Sequence, residues 1–204
     1  MEQILAPAPI KGRPREFCVE EALASALRVF WTRGYEGASM AELTTEMGIT
    51  KPSLYAAFGN KEALFHKALD LYEREKLAYM RSALDAPTAR GVAERLLHGA
   101  LELQMNTCDP CGCLGVISVS ACGVEAESIK AEVVKRRASS EAALIARFER
   151  AKAEGDLPDT IEPVALVRYL FALLQGLSVQ AGSGATCQEL GQLVETSLSI
   201  WPTR

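Results

Sequence analysis

The chain has 204 residues, 49% hydrophobic and only 6% aromatic, with 22 Lys and Arg against 26 Asp and Glu for a net charge of −4. That hydrophobic share excludes a disordered polymer, and the length suffices for one sizeable core or two small ones. The acidic balance argues against a protein that coats nucleic acid nonspecifically, because such binding needs clustered Lys and Arg.

Met1 to Glu16 contains no apolar stretch ahead of a small-residue cleavage site, and no unbroken run of 18 apolar residues follows. A cytoplasmic protein with reduced cysteines and no membrane partner is therefore expected. Charge is unevenly distributed: Lys11 to Lys76 holds ten basic and ten acidic residues, whereas Leu77 to Arg204 holds twelve and fifteen. A phosphate-facing surface is best sought in the N-terminal third.

Helical periodicity with capping signals predicts an all-α fold of about nine helices. Residues 1–16 read as a flexible basic arm. Phe17 to Arg33 places Leu23, Ala26, Leu27, Phe30 and Trp31 three and four apart and stops at Gly34. Ser39 and Glu42 form a capping-box pattern for a short second helix that ends at Gly48. Thr50 can cap a short third helix, with Lys51 and Pro52 in its first turn and Gly59 as its stop. Asn60 opens a long fourth helix towards Met80, which would connect two domains.

Further helices are expected over Pro87 to Asn106, Leu114 to Cys122, where β-branched residues leave a strand as the alternative, Glu125 to Glu154, Pro163 to Ala181 and Thr186 to Ile200, the last opened by Thr186 and Glu189 as a second capping box. The domain boundaries that follow are 17–60 for a helix-turn-helix head, 61–80 for the connecting helix, and 81–204 for a ligand-binding and dimerisation domain.

Two short helices joined by Met47, Gly48, Ile49 and Thr50 form a helix-turn-helix pattern. Its second helix would present N-terminal side chains to a major groove about 12 Å wide. Thr50, Lys51, Pro52, Ser53 and Tyr55 are the candidates, joined by Ser39 and by Arg13 and Arg15 of the arm, which suit phosphate or minor-groove contact.

The residues Phe30, Gly34, Tyr35, Ser39, Met40, Ile49, Thr50, Ser53, Leu54, Tyr55, Phe58, Lys61 and Leu64 resemble the DNA-binding domain of the TetR family of transcriptional regulators, over about Phe17 to Leu71. The resemblance implies a homodimeric all-helical regulator on a double-stranded DNA operator, a C-terminal domain that binds a small-molecule inducer, and two C-terminal helices pairing into a four-helix bundle. It also implies phosphate contacts from Tyr55 and Lys61 and an end to the first helix at Gly34. Ala57 departs from the His or Tyr that many members carry before the Phe.

Cys108, Asp109, Pro110, Cys111, Gly112 and Cys113 form the most unusual segment, with Cys122 nine residues on. Three readings stay open. Four thiolates could hold zinc, although the C-x-C step strains tetrahedral geometry and neither a partner His nor a second C-x-x-C lies nearby. Cys108, Cys111 and Cys113 could form a thiol switch. Cys113 and Cys122 could simply pack, as is expected of Cys18 and Cys187. His66 and His98 lack nucleophile or metal partners at helical spacing, and no catalytic motif is present, so no catalytic residue, metal or other cofactor is expected. The competing function is a thiol oxidoreductase using Cys108 and Cys111, whose usual βαβ context is missing from the pattern.

For the ligand pocket the sequence nominates Leu96, Ala100, Leu103, Val119, Cys122, Tyr169 and Leu173, largely apolar positions on the middle helices. For the dimer it nominates Phe171, Leu174, Leu177, Leu190, Val194 and Leu198, because the Pro163 to Ala181 segment is apolar over more than one face. The reading heads would then lie roughly 34–36 Å apart or somewhat more, matching half-sites of a palindrome.

Overall fold

The computed structural model describes residues 17–120 and 126–202. Within them the chain forms ten helices and no strand: α1 Val19–Gly37, α2 Met40–Glu46, α3 Lys51–Phe58, α4 Lys61–Glu75, α5 Ala78–Ala83, α6 Ala89–Met105, α7 Leu114–Ser120, α8 Glu127–Ala153, α9 Pro163–Gly182 and α10 Cys187–Ser199.

α1 begins with Glu20 and Glu21 in its first turn, where carboxylates complement the positive end of the helix dipole. It buries Ala22, Ala26, Leu27, Phe30 and Trp31. Helical geometry breaks at Gly34, whose φ of 71° suits a residue without a Cβ, and resumes for one turn to Gly37. α1 lies along α4, and their contact is aromatic: Phe65 meets Phe30 edge-on at 5.1 Å, and Tyr72 meets Trp31 edge-on at 4.7 Å between ring centroids.

The long fourth helix expected to reach Met80 stops at Glu75. The amides of Lys76 and Leu77 both donate to the Tyr72 carbonyl, at 2.8 and 3.2 Å, and the chain then turns into the separate short helix α5. The cause is tertiary. Lys76 Nζ is drawn 2.6 Å from Asp109 Oδ2, and α5 folds back over α6 at Gly99, where a Cβ would lie 2.4 Å from the Tyr79 ring. Only a glycine lets the two helices approach so closely.

Two apolar cores result. The head core joins α1 to α4, but it also takes in Leu114 of α7 and Ile129 and Val133 of α8. The body core is built from α5, α6, α9, α10 and the distal half of α8, around Leu96, Leu97, Phe148, Leu170, Leu177 and Trp201. The expected division at residue 80 is therefore not a clean one, because α7 and the start of α8 pack with the head and the same α8 continues into the body. Arg147 is buried by that continuation and donates to the carbonyls of Leu84 and Ala86, at 3.2 and 2.8 Å. α10 is opened by the anticipated box: Thr186 Oγ1 accepts from Glu189 N, and Glu189 accepts from Thr186 N.

By length and composition alone α9 could cross a membrane. Its stripe Leu166, Leu170, Leu174, Leu177 and Ala181 is instead buried in the body core, against α6, α8 and α10. The same packing covers the residues nominated for the dimer. Phe171, Leu174, Leu177, Leu190, Val194 and Leu198 are all buried within their own chain, since the strongest apolar stripe of each helix is consumed by its own core. The outward stripe of α9 is Ala165, Tyr169, Ala172, Gly176 and Val179, of which Tyr169 and Val179 are 39% and 53% exposed.

Candidate nucleic-acid interface and effector cavity

Ser39 Oγ caps α2 by accepting from Glu42 N at 3.1 Å, and Thr50 Oγ1 caps α3 by accepting from Ser53 N at 3.3 Å while lying 2.9 Å from Ser53 Oγ. Between them Gly48, with a φ of 64°, makes the turn, and Ile49 packs on the head core. α3 buries only Leu54 and Phe58. Its other face carries exposed Lys51, Pro52, Tyr55, Ala56 and Ala57 beside the half-buried Ser53. Tyr55 is 48% exposed although it sits on an apolar-looking repeat, and the Lys51 ammonium lies 6.0 Å from its ring centroid. A cation and a phenol hydroxyl thus share one protruding edge, the geometry by which a helix-turn-helix meets phosphates and base edges.

Lys61, at the start of α4, is placed differently from the others. Its ammonium lies 4.5 Å from the Tyr35 ring centroid, and burial lowers its pKa despite the nearby Glu36 carboxylate. Ser39 and Thr50 act first as caps, so any contact they make with DNA comes from hydroxyls already accepting a backbone hydrogen bond. Arg13 and Arg15 lie outside the described residues.

Behind the head lies a cavity of about 730 Å³. Its walls include Tyr72 of α4, Leu77, Tyr79 of α5, Leu96 of α6, Cys113, Val119 of α7, Val133 of α8, and Phe171, Leu174 and Ser178 of α9. Of the nominated pocket residues, Leu96 and Val119 line it. Ala100 is buried in the body core, Leu103 packs on the head core, Leu173 packs on the body core, and Tyr169 faces outward on α9. Cys122 lies outside the described residues. Tertiary packing extends the cavity from the middle of α6 and α9 to α4 and α5.

At the cavity rim, Arg136 of α8 donates to Asp70 (2.6 Å), Glu73 (3.0 Å) and Glu132 (2.8 Å), fastening α8 to α4. Burial opposes its charge, but the hydrogen bonds to Asp70 and Glu132 outweigh this and raise its pKa. The Arg136 hydrogen bond holds the Glu132 carboxyl below its ordinary pKa. Deeper in, burial pushes the Tyr72 phenol pKa well up, with the Cys113 thiol alongside adding to the rise, and Tyr79 is raised in the same way.

The cysteine loop, 106–113, is tied to both parts of the molecule. Gln104, buried at the end of α6, accepts from Gly112 N at 2.7 Å and donates to Gly112 O at 3.2 Å. Trp31 Nε1 of α1 donates to the same carbonyl. Asn106 donates to Asp109, which also pairs with Lys76. Cys108 and Cys111 are exposed, and Cys113 is half-buried on the cavity wall. Cys18 and Cys187, expected to pack, are both exposed, because each stands at the edge of a helix start where the apolar stripe has not yet turned inward. Among the described residues, no three His, Cys, Asp or Glu side chains are gathered as a metal site needs.

Sequence reasoning missed Trp31, Lys76, Gln104 and Asp109 as a coupling joint and Tyr72 and Tyr79 as cavity walls. One signal was available: Gln104 is a polar residue on the buried stripe Leu97, Ala100, Gln104 and so had to have partners inside.

A capped, tight-turned pair of short helices presenting Lys51 and Tyr55, ahead of an all-helical body with an internal cavity, defines a helix-turn-helix DNA-binding regulator. The family described as bacterial regulatory proteins, tetR family, matches residues 22–68. The chain is 31% identical over 195 residues to the HTH-type transcriptional repressor ComR of Escherichia coli (strain K12), covering 94% of this chain and 92% of that one. It is 28% identical over 183 residues to the HTH-type transcriptional repressor BdcR of the same organism, covering 89% and 87%. A cysteine mutant of the TetR family transcriptional regulator CifR, solved with a 26-base-pair double-strand operator DNA, superposes with a TM-score of 0.86 at 40% identity, covering 93% of this chain and 100% of that one. The chain belongs to the TetR family of bacterial regulatory proteins, and it is a DNA-binding transcriptional regulator.

Proposed function

We propose that the protein is a cytoplasmic, homodimeric repressor that occupies a two-fold symmetric operator through α3 of both protomers and leaves it when a small-molecule inducer fills the cavity or when the loop cysteines are modified. The observation that carries this reading is the joint at Gly112. Its carbonyl is shared by Trp31 of the DNA-reading head and Gln104 of the body, so hydrogen bonds join the loop to both head and body. The similar ComR and BdcR are named as repressors, which supports the sign of regulation.

Coupling requires only that a ligand prefer one of two head spacings, and about 1–3 kcal/mol of preference is typical. A modification at the exposed Cys108 or Cys111 would act on the segment that Asp109 and Gly112 anchor. The dimer would use the outward stripe of α9, where Ala165, Ala172 and Gly176 permit close approach and a Cβ at Gly176 would meet nothing of its own chain.

Selection of bound duplexes from a random pool should return a palindromic site, and light scattering at micromolar concentration should give the mass of a dimer. An unenriched pool or a monomeric mass would overturn the reading. Thiol oxidation should weaken operator binding reversibly if the cysteines carry the signal, and Cys108→Ser or Cys111→Ser should abolish that response. An oxidation response unchanged in both variants places the sensing thiol on another cysteine, and operator binding that oxidation leaves intact assigns the signal to the cavity alone.

A further inference from the structure

The Tyr72 side chain is 1% exposed and lines the cavity, yet its hydroxyl makes no hydrogen bond of good geometry. A buried phenol normally has a partner, because leaving the donor unmet costs about 1–3 kcal/mol. The groups beside it are the Cys113 thiol, a weak acceptor, and the Leu114 backbone amide, which can donate to the hydroxyl oxygen but cannot take up its hydrogen. Of the other polar side chains on the wall, which include Tyr79 and Gln175, Ser178 is already satisfied by donating to Leu174 O at 3.0 Å. Leu77, Leu96, Val119, Leu174 and Phe171 give the wall a mostly apolar surface. The guanidinium of Arg136 at the rim is occupied by three carboxylates.

We infer that the Tyr72 hydroxyl is the polar anchor of the effector cavity, and that the cavity takes a small, neutral, mostly apolar molecule carrying one hydrogen-bond-accepting oxygen, a ketone or similar carbonyl compound. This rests on the reading of the cavity as the effector site. Burial keeps the phenol protonated, so the hydroxyl retains the hydrogen that a carbonyl oxygen can accept. A neutral ligand is selected because, among the described residues, the charged side chains of the lining are either exposed, as Asp70, Arg74, Arg81 and Arg137 are, or ion-paired, as Glu73 and Arg136 are, and none is buried alone to compensate an ion taken out of water. The apolar body of the ligand follows from the walls. Tyr72 is also well placed to pass on occupancy: its ring stands edge-on to Trp31, whose indole holds the Gly112 carbonyl. A carbonyl compound drawn to the hydroxyl would therefore press on the pair that connects α4, α1 and the cysteine loop.

The test uses the full chain with acetophenone and ethylbenzene, which have nearly the same shape and differ by the carbonyl oxygen, measured by titration calorimetry and by their effect on operator affinity. Wild type should bind acetophenone about tenfold more tightly than ethylbenzene, the effect of one hydrogen bond to an otherwise unmet donor. Tyr72→Phe keeps the ring against Trp31 and should erase the difference. Ser178→Ala should preserve it, and its behaviour guards against a general loss of packing. Equal binding of the two compounds, a ketone preference that survives Tyr72→Phe, or no binding of either at millimolar concentration would overturn the inference. Tyr72-dependent ketone binding that leaves operator affinity unchanged would uphold the anchor and overturn the effector role of the cavity.

Discussion

Trp31 Nε1 donates a hydrogen bond of 3.2 Å to the carbonyl of Gly112, 81 positions along the chain, and both groups are buried. Gln104 meets the same glycine with a second donor and with an acceptor for its amide. Gln104→Ala leaves the Gly112 amide unmet and should cost about 1–3 kcal/mol, whereas Trp31→Phe removes one of two donors from the carbonyl and should cost about 1 kcal/mol for the bond, plus whatever the smaller ring loses in packing. Urea unfolding at constant m-value checks both. Equal midpoints for Gln104→Ala and wild type would dismiss the joint as energetically idle.

Lys51 and Tyr55 lie exposed on α3 and contribute nothing to the head core. Lys51→Ala should leave the unfolding midpoint unchanged, weaken operator binding across sequences, and reduce the salt slope by about one unit for each Lys51 in the complex. Tyr55→Phe isolates the hydroxyl and should weaken binding without altering the fold. Anisotropy titrations at several salt concentrations measure these effects. An unaltered slope would remove Lys51 from the phosphate contacts.

Gly99 permits α5 to cross α6 against the Tyr79 ring. Gly99→Ala places a methyl group in that contact, and the resulting overpacking should cost about 1–3 kcal/mol, enough to outweigh the gain in helix propensity of about 1 kcal/mol. Since Tyr79 also forms a cavity wall, the variant should change ligand binding as well. A stabilised Gly99→Ala protein would show that α5 can move aside freely.

Glu189 accepts from the Thr186 amide at 2.7 Å and from its hydroxyl at 2.8 Å, and these bonds lower its pKa below the ordinary 4.5. A carboxyl with a depressed folded-state pKa stabilises the folded state above the unfolded value, and that contribution disappears as pH falls through the folded value. The stability difference between wild type and Glu189→Gln should thus be full at neutral pH and shrink below about pH 4.5. A difference that grows on acidification would contradict the capping box as its source.

The head was legible in the sequence because its signals are local. Ser39 and Thr50 cap over three residues, Gly48 makes a turn within four, and the pattern from Phe30 to Leu64 carries the family resemblance, so secondary structure and reading face follow from near neighbours. Apolar periodicity likewise located α6, α8, α9 and α10 to within a few residues. Periodicity states that a face is buried but not what buries it. For that reason the sequence could assign Leu174, Leu190 and Val194 to a partner subunit when their own chain covers them, and could place Tyr169 inside when it faces out. The break after Glu75, the sharing of α7 and α8 between two cores, and the meeting of Trp31, Tyr72, Gln104 and Gly112 depend on contacts between residues far apart in the chain. Each is settled by close packing and by the need of buried polar groups for partners, and those requirements are met only once the helices are assembled.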